Sequence, residues 1–209
     1  MSRYSFRNDY SESAHEQILA SLVQSNLLQE DGYGEDYFSR EAKKMILHKM
    51  GNPQSDIHFL SGGTQTNLVV ISSILRPYES VIAPATGHIA VHECGAIEAT
   101  GHKIHTVDTH DGKLTAELIQ PILDTHQDEH MVKPRLVFIS DSTEVGTLYT
   151  RQELQKLSDF CRTKNLYLYL DGARLGSALT SHTNDISLSE LAHLVDIFYI
   201  GGTKNGALL

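Results

Sequence analysis

Positive charge is scarce in this chain, cysteine is scarcer, and long apolar runs are missing. Acidic residues number 26 against 17 lysines and arginines, a formal net charge of −9. That balance argues against nucleic acid or an anionic membrane as the main partner, so a bound phosphate must rely on local donors. Two cysteines, Cys94 and Cys161, are too few for a disulfide framework and fit a reducing cytoplasm. Charged or turn residues interrupt every apolar stretch before it reaches membrane-spanning length. The opening MSRYSFRNDYSES has no apolar signal-peptide core and gives no evidence of export. There is no internal repeat, low-complexity tract or Pro/Gly/Ser-rich linker. What remains is an ordinary globular composition over 209 residues, enough for one sizeable core.

From about Asp56 onward, short apolar runs alternate with amphipathic stretches. The runs at 57–61, 80–84, 103–107, 135–140, 166–171 and 196–202 are expected to form strands. Helices are expected at 64–75, around 89–100, and at 115–123, 150–164 and 187–193. This alternation indicates a mostly parallel sheet covered on both faces. The preceding stretch, roughly 13–50, reads as helical, broken at DGYGED (Asp31–Asp36). Open α/β sheets bind ligands at the carboxyl ends of their strands. The residues with chemical character gather at those ends: 61–64, 141–144, 171–174 and 201–204.

Each cluster has a plain structural reading beside a chemical one. SGGTQTN (Ser61–Asn67) places backbone N–H groups and a positive dipole end at one point, a ready anion site. It also fits a simple turn with Thr64 as N-cap. It is neither a Walker loop nor a complete GxGxxG. In DGAR (Asp171–Arg174), an aspartate ends the run LYLYL, and a buried carboxylate needs a partner. A protonated pyridine nitrogen is one such partner, the positive ring then serving as an electron sink; a structural Asp–Arg pair is the other. Arg174 offers a fork for a carboxylate or phosphate. GGTKNG (Gly201–Gly206) sets Lys204 between glycine turns, where a desolvated amine forms Schiff bases unless it is merely an exposed turn lysine. His88 and His92 are spaced for one helix face, but no HExxH is present. Stacking of His88 on an aromatic cofactor agrees better with the other clusters than a metal site does.

YGED (Tyr33–Asp36), SGGTQTN, the stretch His88–Gly95, DGARLGSA (Asp171–Ala178) and Thr203–Lys204 follow one another in an order that resembles the threonine aldolase / aromatic amino acid β-eliminating lyase family of pyridoxal-phosphate (PLP) enzymes. The resemblance covers nearly the whole chain. It implies a three-layer α/β/α, PLP-dependent transferase-like large domain at 51–209, preceded by an N-terminal arm and helical segment at 1–50. It implies PLP as cofactor, a Schiff base at Lys204, Asp171 on the pyridine nitrogen and His88 over the ring. Gly63, Thr64 and Thr203 would reach the phosphate, Gln65 would join the cofactor contacts, and Arg174 would lie near the ring hydroxyl and the substrate carboxylate. The implied activity is aldol cleavage of a β-hydroxy-α-amino acid such as threonine or allo-threonine. The alternatives are β-elimination and a non-catalytic fragment that binds PLP or only oligomerises. No metal is expected; a cytoplasmic homodimer or homotetramer is.

Three departures from the family pattern stand out. Arg7-Asn8-Asp9 replaces Arg-Ser-Asp, leaving Asn8 as the candidate for the substrate carboxylate. Asp141-Ser142-Thr143-Glu144 replaces Glu-Asn-Thr-His, putting Glu144 where a histidine assists at the substrate hydroxyl; a carboxylate can still act as a base if burial raises its pKa. Only five residues follow Lys204, so the C-terminal small domain is expected to be missing, with GALL (Gly206–Leu209) read as the start of a further strand.

Overall fold

A computed structural model describes residues 5–208. Its centre is a five-stranded sheet: β1 (Glu79–Pro84), β2 (Ile104–Val107), β3 (Lys133–Ser140), β4 (Tyr167–Asp171) and β5 (Ile197–Phe198). The order is β2-β1-β3-β4-β5, and every pairing is parallel. β1 is buried along its whole length, as are the last five residues of β3. Burial on both faces explains why these strands read as near-continuous apolar runs rather than alternating ones.

Nine helices occur among the described residues. They are α1 (Glu16–Ser25), α2 (Tyr37–Met50), α3 (Gly63–Ile74), α4 (His88–Val91), α5 (Ala96–Ala99), α6 (Ala116–Thr125), α7 (Arg151–Thr163), α8 (Leu175–Leu179) and α9 (Leu188–Leu194). Two of them begin with reciprocal capping boxes, Thr150 with Glu153 and Ser187 with Glu190, which satisfy the orphan N–H groups of the first turn. Alternate side chains of the strands feed two cores. Ile82, Val137, Ile139, Leu168 and Leu170 pack with Ile119, Leu154, Leu157 and Leu191 of α6, α7 and α9. On the opposite face Val81, Ala83, Leu136, Phe138 and Tyr169 pack with Ile71 of α3, Ile89 of α4 and Ile97 of α5. The result is the expected three-layer α/β/α arrangement.

Several local expectations are corrected. Residues 57–61 form no strand: Ile57, Phe59 and Leu60 line the same wide cleft as Ile197 and Phe198 of β5. The apolar run is real, but a strand needs a ladder partner, and this segment has none among the described residues. β5 itself has two residues, not seven. The helix expected near 89–100 splits into α4 and α5, because Cys94 and Gly95 both take positive φ, 53° and 75°, which an α-helix cannot contain. α8 was not anticipated. Of GALL, residues 206–208 form no strand, and Leu209 lies outside the described residues.

Candidate active site

The chain passes from β1 outward to β2 and then returns to the other side of β1 as β3. Crevices at the carboxyl ends of strands open at such reversals. Asp171 ends β4 and Tyr199 follows β5, while Gly87 and His88 follow β1 by a short turn. A cleft of about 1600 Å³ is lined by Gly62–Thr64, His88, Ala173, Tyr199 and Gly201–Lys204.

Two glycines let the DGAR and GGTK loops touch backbone to backbone. A Cβ on Gly172 would sit 1.9 Å from Tyr199 O, and one on Gly201 would sit 2.6 Å from Ala173 O. In that space Gly201 N–H donates to Gly172 O at 2.9 Å. Asn205 completes the clamp. Its amide donates to Ala173 O and Gly201 O at 3.2 and 2.7 Å, and its Oδ1 accepts from the backbone N–H and hydroxyl of Ser177 on α8. Lys204 lies in a single 3₁₀ turn, Thr203–Asn205, with its Nζ 5.7 Å from the Tyr10 ring centroid.

Asp171 is 3% exposed and well supplied with donors. Oδ1 accepts from the Tyr199 hydroxyl at 2.5 Å and from Ala173 N–H at 3.0 Å; Oδ2 accepts from the Asn67 amide at 3.2 Å. Burial and the Asp171 charge hold the Tyr199 proton far more tightly than usual, so Tyr199 stays a donor. Asn67 also donates to Glu93 Oε1 at 2.6 Å, and His88 Nδ1 lies 2.8 Å from that same oxygen. The Glu93 hydrogen bond raises the His88 pKa against the opposing effect of burial, with the charges of Glu93, Glu144 and Asp171 adding to the rise.

At the start of α3 the first closed hydrogen bond runs from Thr66 N–H to Gly62 O, leaving the N–H groups of Gly63, Thr64 and Gln65 at the helix end. No side chain caps that end, since the N-cap residue is Gly62 rather than Thr64. Gln65 turns back, its Oε1 accepting from the Ser61 N–H and hydroxyl at 3.0 and 2.7 Å. Arg174 is already engaged: Nε and Nη2 reach Asp9 Oδ2 and Oδ1 at 2.5 and 3.1 Å. That hydrogen bonding lowers the Asp9 pKa and raises that of Arg174. Asn8, the expected substrate contact, accepts from the Tyr10 N–H and the Ser11 hydroxyl in a local turn. Glu144 is half-buried, and its charge acts on both His88 and Arg174. His92 ends α4 with its ring 5.5 Å from that of His88. Among the described residues no His/Cys/Asp/Glu group could hold a metal ion.

The sequence reading singled out neither Asn67, Glu93, Tyr199 nor Asn205. The segment itself carried little signal for the first two, which sit among other polar residues, and only the tertiary fold brings residues 67, 93 and 171 together. These residues fit PLP. The uncapped helix end, with open space where Gly62 has no side chain, suits a phosphate. Among the described residues Asp171 Oδ2 has a single donor, although a carboxylate oxygen accepts two hydrogen bonds. Glu93 is hydrogen-bonded to His88, and the charge of Asp171 also acts on that histidine, an excess of negative charge that a pyridinium would offset.

The fold is accordingly the large-domain architecture of PLP-dependent transferase-like enzymes. Comparison with known proteins narrows the class. A family model described as beta-eliminating lyase matches residues 10–208, and the chain belongs to that family, whose cofactor is PLP. Low specificity L-threonine aldolase of Pseudomonas aeruginosa is 35% identical over 190 residues, covering 90% of this chain and 54% of that protein. The solved structure of Leishmania major threonine aldolase superposes with a TM-score of 0.97 at 52% identity, covering 98% of this chain and 60% of that one. An aminotransferase from Escherichia coli, 15% identical over 88% of this chain and 45% of its own, shares the fold alone, with a TM-score of 0.68. The chain spans about half the length of the curated relatives it matches.

Proposed function

We propose that the protein acts as a PLP-dependent lyase that cleaves β-hydroxy-α-amino acids such as threonine or allo-threonine to glycine and an aldehyde. The observation that carries this reading is the convergence on one cleft of Lys204, the uncapped α3 terminus and His88, with the buried Asp171 hydrogen-bonded to Tyr199 of the same lining. Residues 51–209 are the incomplete PLP-binding large domain in this proposal, and residues 1–50 an N-terminal arm and helical segment.

Lys204 would hold the cofactor covalently, Asp171 its ring nitrogen, and His88 its ring face. The N–H groups of Gly63, Thr64 and Gln65, with the Thr203 hydroxyl, would hold its phosphate. When bound, PLP supplies an electron sink for the electron pair released at the substrate α-carbon. The remaining work falls to side chains. Arg174 orients the substrate carboxylate, which must share or displace the Asp9 carboxylate now on the guanidinium. Glu144 accepts the proton of the β-hydroxyl as the Cα–Cβ bond breaks and the aldehyde forms; its nearness to His88 and Arg174 supports that role. A cytoplasmic homo-oligomer belongs to the same proposal, supported by two unpaired cysteines and by the exposed Leu22, Val23, Leu27 and Leu28 on and just after α1.

The test is product analysis with threonine and allo-threonine. Glycine and aldehyde in equal amounts support the proposal. Pyruvate-type keto acid plus ammonia would replace it with β-elimination, and unchanged turnover by Lys204→Ala would overturn the site.

A further inference from the structure

A buried polar relay runs behind the candidate site. The Glu93 side chain has no solvent exposure, and its Oε2 has no partner among the described residues. Its Oε1 meets His88 Nδ1 at 2.8 Å and the Asn67 amide at 2.6 Å. Asn67 is itself fully buried. Its two amide hydrogens go to Glu93 Oε1 and Asp171 Oδ2, while its Oδ1 accepts from the Tyr169 hydroxyl at 2.7 Å. These partners fix the amide orientation, because a flipped Asn67 would set its carbonyl oxygen against two carboxylates. Donation therefore runs from Tyr169 through Asn67 to Glu93 Oε1, which is the acceptor on which the relay ends. An ionised carboxylate only accepts, so the hydrogen in the His88–Glu93 contact belongs to Nδ1.

We propose that Glu93 is the positioning residue for His88, holding its Nδ1 proton and the plane of its imidazole, and that Asn67 ties this arrangement to Asp171. The second ring nitrogen, Nε2, is thereby left for whatever His88 meets in the cleft. A carboxylate on the far nitrogen sets both tautomer and orientation of a histidine, as it does in metal sites and catalytic triads. The groups facing His88 are Glu93, Glu144 and Asp171, all acidic, and the His92 ring. Of these, Glu93 alone is hydrogen-bonded to the imidazole. What His88 serves rests on the proposed cofactor chemistry; the relay itself does not.

The test is histidine NMR on the full chain, with His88 assigned by the signal lost in His88→Asn. In the wild-type protein above the titration midpoint, the neutral ring should be the Nδ1–H tautomer, opposite to free imidazole side chains in water. A predominant Nε2–H tautomer would overturn the proposal. Glu93→Gln should lower the proton affinity of His88 at least tenfold, and Glu93→Asp, which keeps the charge, should recover part of that loss. An unchanged His88 titration in a folded Glu93→Gln protein would equally overturn it. If Glu93→Gln fails to fold, the wild-type tautomer decides alone. Both readouts are independent of turnover, so a normal relay without cofactor on Lys204 would count against the proposed function and not against Glu93.

Discussion

Asp141→Asn should make the protein more stable, by an amount that grows from about pH 4 and levels off above about pH 7. Asp141 follows β3 directly, is 4% exposed, and its Oδ1 has no hydrogen-bond partner among the described residues. Burial pushes its carboxyl from the ordinary 3.8 up to about 7, against smaller opposing effects from the Tyr149 backbone N–H and the Lys113 charge. The unfolded chain ionises near the ordinary value, while the folded chain keeps the proton until about pH 7. Between those points the native state binds more protons, so stability falls as pH rises and levels off above the folded value. At ~1.4 kcal/mol per pH unit, the separation amounts to roughly 4 kcal/mol, an upper figure before local relaxation. Asparagine resembles the protonated acid in shape and carries no charge to bury. Urea unfolding of both proteins from pH 4 to pH 8.5 should show a small difference at pH 4, growing to about 1–4 kcal/mol in favour of the variant by pH 8. A difference that is flat across this range, or a variant less stable at pH 8, would refute the burial argument.

Asp171→Asn keeps the volume but removes the charge opposite the proposed pyridinium; PLP affinity measured by fluorescence titration should fall at least tenfold, and unchanged binding would contradict the pairing. Gly172→Ala forces a methyl group into the 1.9 Å approach to Tyr199 O, so thermal unfolding should report a loss of roughly 3 kcal/mol or no folded protein. A near-neutral result would show that the two loops separate easily. Asp9→Asn breaks an ion pair that is partly exposed on both sides, costing under about 1 kcal/mol of global stability. Hydrogen exchange should nevertheless quicken in residues 5–15, and no change there would mean that the pair does not hold the segment down.

The sheet was legible because its strands are buried on both faces, so β1, β3 and β4 stand out as apolar runs ended by polar residues. Where pattern alone carried the reading, it failed in instructive ways. Residues 57–61 form an apolar run but line a cleft rather than a sheet, and hydrogen-bond partners are not written in the segment itself. The stretch after His88 has helical spacing, yet the positive φ at Cys94 and Gly95 cuts it in two. The site clusters were visible because glycines, a buried-run aspartate and a lysine sit at strand ends. Their supports were not: Asn67 and Glu93 gain meaning only from packing α3 and the α4–α5 turn over the carboxyl end of β4. Arg174 illustrates the converse, since its fork was legible but its occupation by Asp9, 165 residues away, was not.

The central claim is that Lys204 anchors PLP in a cleft this chain builds. Incubation with PLP, reduction with borohydride and peptide mass spectrometry test it most directly. One stable cofactor adduct is expected, on the peptide containing Lys204, absent in Lys204→Ala and weakened in Asp171→Asn. Adducts spread over surface lysines, or retained in Lys204→Ala, would contradict it.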